Sequence, residues 1–224
     1  MFADRHDAGR QLAERLLILK LERPVVLALP RGGVPVGFEI ARALRAPLDL
    51  MLVRKIGAPF QKELAVGAIA DGGHPELVVN DEIVASLDIP DGYFEETKAA
   101  ATRELERRRD AYLAGHPPVE VAGRTAVVVD DGIATGATMI AALRSTRHRQ
   151  PAAIVLAVPV AASEVLHRMR PEVDRIVCLR MPSDFMAVGA YYDDFHQLRD
   201  SDVITLLDRA RAFAAVDKTS EDMT

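Results

Sequence analysis

Five short runs of mostly apolar residues recur along the chain, separated by segments with a helical period. The runs cover residues 25–29, 48–53, 126–129, 152–158 and 173–179. A strand that is apolar on both faces is typical of a parallel sheet covered by helices on both sides. The alternation of such strands with helical segments therefore predicts an α/β fold with a mostly parallel sheet.

The segments between these runs predict helices and one hairpin. Residues 4–21 place Ala8, Leu12 and Leu16 on one face, which predicts a helix that covers the sheet. Further helices are predicted over residues 34–44, 91–113, 139–143, 163–170 and 202–214. Residues 63–71 and 76–80 flank a glycine turn and are expected to pair as a hairpin.

Composition narrows the class of protein. The 224 residues carry a formal net charge of −5, which argues against a broad nucleic-acid-binding surface. The one cysteine, Cys178, excludes an intrachain disulfide, and we interpret it as a buried, unreactive thiol. The N-terminus lacks the apolar segment of a signal peptide, and the longest apolar run is too short to span a bilayer. We therefore expect a cytoplasmic protein with no nucleic-acid or membrane partner.

The stretch from Thr125 to Thr138, T-A-V-V-V-D-D-G-I-A-T-G-A-T, carries the most specific chemistry. A buried strand leads to Asp130 and Asp131, then to a small-residue loop that opens a helix. The loop and the helix N-terminus suit a phosphate group. Because carboxylates repel phosphate, the acid pair should face sugar hydroxyl groups or a metal on the same ligand. Thr135 and Thr138 add hydroxyl donors for the phosphate. The predicted substrate-binding residues of the loop are Ile133, Ala134, Thr135, Gly136, Ala137 and Thr138.

Two further strands end in residues that suit an anion. The first apolar run leads into Pro30-Arg31-Gly32-Gly33 and then a helix, where free N–H groups and the Arg31 guanidinium would form a second anion site. A tight turn with a solvated arginine is the alternative. The run over residues 48–53 ends in Arg54-Lys55-Ile56-Gly57, which would place two cations at the ligand edge of the sheet. A solvated basic strand end is the alternative there.

Taken together, these stretches resemble the type I phosphoribosyltransferases. V-V-V-D-D-G-I-A-T-G-A-T is similar to the motif of that family for phosphoribosyl pyrophosphate (PRPP). Residues 30–33 fall where the family has its pyrophosphate loop, and residues 54–57 are similar to the R-K-x-G stretch of adenine phosphoribosyltransferases. The resemblance covers residues 25–57 and 125–143 and is absent over residues 72–123.

The resemblance implies an activity and a role for each motif. Ribose 5-phosphate would pass from PRPP to a ring nitrogen of a base, with release of pyrophosphate. Asp130 and Asp131 would hold the ribose hydroxyl groups and, with PRPP oxygens and water, Mg²⁺, while loop 133–138 would bind the 5′-phosphate. Arg31, the amides of Gly32 and Gly33, and Lys55 would bind the pyrophosphate, and Pro30 and Arg54 are further predicted substrate-binding residues. The predicted catalytic residues are Arg31, Lys55, Asp130 and Asp131. In this family the pyrophosphate loop often holds a non-proline cis peptide, which we expect at Arg31–Gly32.

The resemblance also implies a domain plan. It predicts the three-layer type I phosphoribosyltransferase fold in one domain, residues 1–214, with a long flexible-loop insertion at about 58–123, a hood at about 181–198 and a polar tail at 215–224. Phe185 and Tyr191 in the hood are predicted to contact the base; a small satellite core under a loop is equally compatible. In the insertion we single out Lys62 and Glu63. The helical cations there are interpreted as a solvated face, although one of them could reach the pyrophosphate.

The substrate and two other function classes stay open. Hypoxanthine-type enzymes carry an acid where this chain has Ala134, and the mobile-loop sequence of adenine-type enzymes is not recognisable, so the base is not identified. A non-catalytic PRPP-sensing regulator would keep the same motif. A dinucleotide-binding oxidoreductase would depend on Gly32, Gly33 and Gly37 alone, without the G-x-G-x-x-G spacing. The expected partners are PRPP, a small-molecule base and a second copy of the chain in a homodimer.

Overall fold

The computed structural model describes residues 1–71, 76–79, 84–87, 89–90 and 92–221. Its helices are α1 (Arg5–Leu17), α2 (Gly33–Leu44), α3 (Tyr93–Leu113), α4 (Ala137–His148), α5 (Ser163–Met169) and α6 (Asp200–Glu221). Its strands are β1 (Pro24–Ala28), β2 (Leu48–Leu50), β3 (Leu52–Ala58), β4 (Gln61–Asp71), β5 (Glu76–Val79), β6 (Thr125–Val129), β7 (Ala153–Val160) and β8 (Arg175–Arg180). Short 3₁₀ turns lie at Arg170–Glu172 and Val188–Tyr191.

The central sheet has the strand order β2-β1-β6-β7-β8, and every pairing in it is parallel. Successive side chains of a strand point to opposite faces. Val26 and Ala28 of β1 therefore join a core with α1, α2 and α6, whereas Val25 and Leu27 join a core with α4 and α5. The predicted three-layer α/β fold with a mostly parallel sheet is confirmed.

The prediction of one strand over residues 48–53 is wrong. The chain divides at the buried Met51, whose N–H donates to the carbonyl oxygen of Ala28 at 2.9 Å. β2 stays in the central sheet, while β3 pairs antiparallel with β4 in a separate three-stranded sheet, β3-β4-β5. Arg54 and Lys55 consequently lie inside β3 and not at the end of a central strand. A continuous apolar run cannot reveal such a change of sheet.

The predicted hairpin is confirmed as β4 and β5, and the predicted long helix as α3. α3 is fixed to both sheets. Arg109 donates from Nη1 to Asp71 at 2.7 Å, and its Nη2 lies 3.7 Å from an oxygen of Asp49 in β2. All three side chains are buried or nearly so. At the other end of α3, the Tyr93 hydroxyl donates to the carbonyl oxygen of Gly57 in β3 at 2.7 Å.

The last helix is longer than predicted. α6 continues past residue 214 to Glu221, because alanines at its predicted end favour the helix and no glycine or proline interrupts it. Among the residues described, none of the helices is both long and apolar enough to cross a membrane.

Candidate active site

The two glycine loops meet at the carboxyl edge of the central sheet. β1 and β6 are neighbours, with Ala28 paired to Val129, so the loops that follow them emerge side by side. A Cβ atom on Gly32 would overlap the carboxylate of Asp131, and one on Gly33 would lie 2.7 Å from the carbonyl oxygen of Val129. Real Cβ atoms do not approach so closely, so position 33 requires glycine, and a side chain at position 32 would displace the Asp131 carboxylate. The predicted pyrophosphate loop therefore touches the predicted ribose-binding acid.

The non-proline cis peptide lies at Pro30–Arg31. The expectation of a cis bond at Arg31–Gly32 is wrong by one residue. Gly32 already has helical dihedral angles, φ −61° and ψ −38°, as the residue that caps α2. The non-helical part of the loop consequently ends at Arg31, before Gly32.

The two acids are held differently. Asp130 accepts the backbone N–H of Asp131 at 2.9 Å, and Asp131 accepts Nε–H of Arg5 at 2.8 Å. Burial, followed by repulsion from Asp131, holds the pKa of Asp130 well above its ordinary value. Burial also raises the pKa of Asp131, while the Arg5 guanidinium opposes that rise. Arg5 is thus the counter-ion of the acid pair.

Sequence reasoning missed Arg5, which α1 carries into the site. Its side chain is 9% exposed, and it donates from Nη1 to the carbonyl oxygen of His196 at 3.0 Å. Its guanidinium carbon lies 3.8 Å from the ring centroid of Phe195. Arg5 lies outside the apolar face of α1, and the rest of α1 has the pattern of a helix that covers the sheet. No local pattern distinguishes it from a solvated arginine.

A cavity of about 630 Å³ opens beside the acid pair. Residues 30–32, Asp131 and Arg5 form one wall, α3 forms another, and the segment just before α6 forms a third. The lining residues are Arg5, Pro30, Arg31, Gly32, Arg107, Arg108, Ala111, Tyr112, Asp131, Phe195, His196, Gln197, Leu198 and Asp200. Four arginines and two aspartates therefore face one space, which suits a polyanionic ligand with hydroxyl groups.

Arg31 connects two of these walls. Its Nη1 donates to the carbonyl oxygen of Leu198 at 2.8 Å, and its Nε lies 3.0 Å from the carboxylate of Asp200. The same carboxylate accepts the Tyr112 hydroxyl of α3 at 2.6 Å. The loop that carries Arg31, α3 and the start of α6 are thus joined by one network.

The predicted phosphate loop lies at the N-terminus of α4. Gly136 caps that helix with φ +83°, a conformation that favours glycine. Ile133 is buried and donates its N–H to Val160, whereas Ala134, Thr135 and Ala137 are exposed and Thr138 is half-buried. Arg168 of α5 donates to the carbonyl oxygen of Thr135 at 3.0 Å and fixes the loop from outside.

Of the sixteen predicted site residues, Pro30, Arg31, Gly32 and Asp131 are among the described residues that line this cavity. The other twelve are not in that lining: Gly33, Arg54, Lys55, Asp130, residues 133–138, Phe185 and Tyr191. Phe185 and Tyr191 stack with ring centroids 5.6 Å apart and pack in a cluster with Phe2 and Tyr192. Arg54 and Lys55 are exposed on β3. Within the predicted hood, it is the segment from Phe195 to Leu198 that lines the cavity. The side chains of Lys62 and Glu63 lie outside the described residues.

The acidic groups suit a metal ion that arrives with its ligand. Within the described part of the chain, no group of three or more histidine, cysteine or acidic residues could hold an ion. Asp130 and Asp131 provide two adjacent carboxylates. Mg²⁺ is commonly held by one or two carboxylates together with substrate phosphates and water, so the donors present fit that ion.

Comparison with known proteins agrees with this geometry. The family model described as "Phosphoribosyl transferase domain" matches residues 4–195. Proteins of Mycobacterium tuberculosis strains CDC 1551 / Oshkosh and H37Rv, each named "Putative phosphoribosyl transferase", are 46% identical over 215 residues. These residues cover 96% of this chain and 48% of those proteins, so the chain spans about half the length of the curated relatives it matches.

Solved structures show the same fold. The crystal structure of TT1426 from Thermus thermophilus has a TM-score of 0.81 and 46% identity, covering 92% of this chain and 97% of that one. A hypothetical protein from Neisseria gonorrhoeae with bound ppGpp has a TM-score of 0.51 and 14% identity over 92% of each chain, a likeness of fold alone. With the family model matching most of its length, the chain belongs to the type I phosphoribosyltransferase family.

Proposed function

We propose that this chain transfers ribose 5-phosphate from PRPP to a nitrogenous base, with Mg²⁺, and releases pyrophosphate. The observation that carries the proposal is the contact between the two motif loops: Gly32 lies against Asp131, and both line one cavity with Arg31. PRPP has a phosphate, a ribose and a pyrophosphate. Residues 133–138, the acid pair and residues 30–33 would each contact one of these groups, at the same edge of the sheet.

Each part of PRPP has a matching group. The 5′-phosphate would bind the N–H groups and hydroxyl groups of residues 133–138 at the start of α4. Asp130 and Asp131 would accept the ribose hydroxyl groups. The pyrophosphate would bind Arg31 and the backbone of Gly32 and Gly33. Asp130 and Asp131 would hold the Mg²⁺ that arrives with it. Arg54 and Lys55 are proposed to approach the pyrophosphate from β3.

The reaction breaks the bond from C1 of the ribose to the pyrophosphate oxygen and forms a bond from C1 to a base nitrogen, which loses its proton. Positive charge develops on the ribose as the leaving group departs, and the acid pair would stabilise it. The Arg31 guanidinium would stabilise the negative charge on the pyrophosphate. Mg²⁺, when bound, would neutralise further negative charge there. Catalysis would then consist largely of positioning and electrostatic stabilisation.

The base is proposed to bind along the wall formed by Phe195 to Leu198, next to the acid pair. One face of the Phe195 ring is covered by the Arg5 guanidinium, so a planar base would meet this arginine, or displace it, to stack there. Phe185 and Tyr191 would support the wall from the aromatic cluster behind it.

Calorimetric titration with PRPP and Mg²⁺, repeated with a panel of purine and pyrimidine bases, tests the proposal. Pyrophosphate release is followed in the same samples. Binding with turnover on one base would support the transferase and identify its substrate. Binding without turnover on any base would favour a PRPP-sensing regulator, and absence of binding would contradict both. Sedimentation of the same sample tests the proposed homodimer.

A further inference from the structure

We propose that Arg107 and Arg108 of α3 bind the leaving pyrophosphate, so that the insertion supplies its cations from a docked helix. This inference rests on the proposed function and deepens it. It assigns a ligand group to two residues that lie far from either motif and have no recognisable sequence signal.

Position is the first support. Arg107 and Arg108 line the same cavity as Arg31 and Gly32 of the pyrophosphate loop. Two turns of α3 thus face that loop across the cavity. Tyr112, one turn further along α3, donates to Asp200 at 2.6 Å, and Asp200 pairs with Arg31 at 3.0 Å. The helix is therefore tied to the cation that the pyrophosphate motif itself provides.

The balance of charge is the second support. Arg5 is paired with Asp131, and Arg31 is paired with Asp200, so these two cavity cations are compensated. Arg107 and Arg108, by contrast, share the single carboxylate of Glu104 with each other and with Arg54, and Glu104 does not line the cavity. Among the arginines of the described cavity lining, the two on α3 therefore have their ion-pair partner outside the lining. Pyrophosphate carries several negative charges and would be drawn to the wall that α3 forms.

The hydrogen bonds to Glu104 present both guanidinium groups in defined positions. Arg107 donates from Nε and Nη2 at 2.9 Å each, and Arg108 donates from Nε at 3.0 Å. These bonds lower the pKa of Glu104 to about 2, so the carboxylate stays charged at neutral pH. The Arg107 and Arg108 side chains remain 68% and 51% exposed, which leaves other N–H groups available to a ligand.

The docking of α3 is the third support. The buried contacts of Arg109 with Asp49 and Asp71 hold the helix against both sheets before any ligand arrives. Cations on a docked helix are in place at the moment when negative charge develops, and need no reorganisation then.

Titration of inorganic pyrophosphate with Mg²⁺ into the free protein tests this inference without any base. An Arg107→Gln, Arg108→Gln double variant should bind pyrophosphate at least tenfold more weakly than the wild type, whereas its affinity for ribose 5-phosphate should be unchanged. Arg103→Gln is the matched control, because Arg103 lies exposed on the same helix and outside the described cavity lining. It should bind both ligands as the wild type does. An Arg107→Lys, Arg108→Lys double variant should keep part of the affinity that the glutamine variant loses, since lysine retains the charge without the planar guanidinium.

Equal pyrophosphate affinity in the wild type and the double variant would overturn the inference, as would a wild type that binds no pyrophosphate. Circular dichroism of the double variant and the unchanged affinity for ribose 5-phosphate show that the fold is retained. The proposed transferase function can fail while the inference about pyrophosphate binding holds. If pyrophosphate binding depends on the two arginines but no base supports turnover of PRPP, the inference stands and the transferase assignment falls.

Discussion

The two main walls of the cavity are built in different ways. The wall of Arg31, Gly32 and Asp131 comes from two loops that each follow a buried strand of the central sheet. The facing wall comes from α3, a helix with mixed charges on most of its surface. In the first wall, neighbours in the sequence form the chemical unit. In the second wall, the way α3 packs against the sheets decides which of its many cations face the cavity.

This difference shows which site residues a local sequence pattern can predict and which it cannot. Strand, acid pair, glycine loop and helix form a unit because parallel strands deliver their carboxyl ends to one edge. On α3 the cations Arg103, Arg107, Arg108 and Arg109 are chemically alike, yet one is an anchor and two line the cavity. Variants that separate these positions therefore test the comparison directly.

The largest effect is expected at the anchor of the second wall. Arg109→Gln removes the guanidinium that Asp49 and Asp71 share, and burial already raises the pKa of Asp49. Because breaking a buried ion pair leaves buried charge uncompensated, the free energy of unfolding should fall by about 3 kcal/mol. Chemical denaturation measures this change. Arg108→Gln, one residue earlier, should change the free energy of unfolding by less than about 0.5 kcal/mol, since its ion pair is exposed. Equal losses in the two variants would show that α3 is not anchored through Arg109.

The next effect concerns the first wall and affects binding. An Asp130→Asn, Asp131→Asn double variant should bind PRPP about 100-fold more weakly, a loss of about 2.7 kcal/mol, because hydrogen bonds from hydroxyl groups to carboxylates are lost. The variant should stay folded, since amides keep the shape and remove the repulsion between two buried carboxylates. Calorimetry of PRPP with Mg²⁺ measures the affinity. Asp208→Asn, on the exposed side of α6, is the control. Unchanged PRPP affinity in the double variant would refute the ribose assignment.

The sequence predicted the architecture and the first wall because both depend on short-range order. Apolar runs identified the strands of the central sheet, and the spacing of Asp130, Asp131 and Gly136 identified the loop at the start of α4. The apolar run over residues 48–53 led to the wrong prediction of a single strand. Only the strand pairing shows that the chain leaves one sheet at Met51 and joins another. That error placed Arg54 and Lys55 at a strand end.

Residues brought into the cavity by packing could not be predicted. Phe185 and Tyr191 were as compatible with a satellite core as with a base site, and the structure packs them against each other in the aromatic cluster. Phe195 lines the cavity because Tyr192 and Phe2 occupy the space behind it. Arg5 reaches the acid pair because α1 begins beside the end of β6, a proximity between residues 126 positions apart.

The smallest of the three effects is expected at Arg5, which joins neither motif but compensates Asp131. Arg5→Gln should lower the free energy of unfolding by about 1–2 kcal/mol, less than at Arg109, because water in the cavity can solvate part of the Asp131 charge. Arg10→Gln, on the same helix, loses an exposed pair with Asp7 and should change the free energy of unfolding by less than about 0.5 kcal/mol. Adding Asp131→Asn to Arg5→Gln should recover most of the loss, since no uncompensated carboxylate then remains at position 131. Chemical denaturation of the four variants measures this coupling. If the losses from Arg5→Gln and Asp131→Asn simply add, Arg5 stabilises the fold through its contacts with Phe195 and His196 and not through the acid pair.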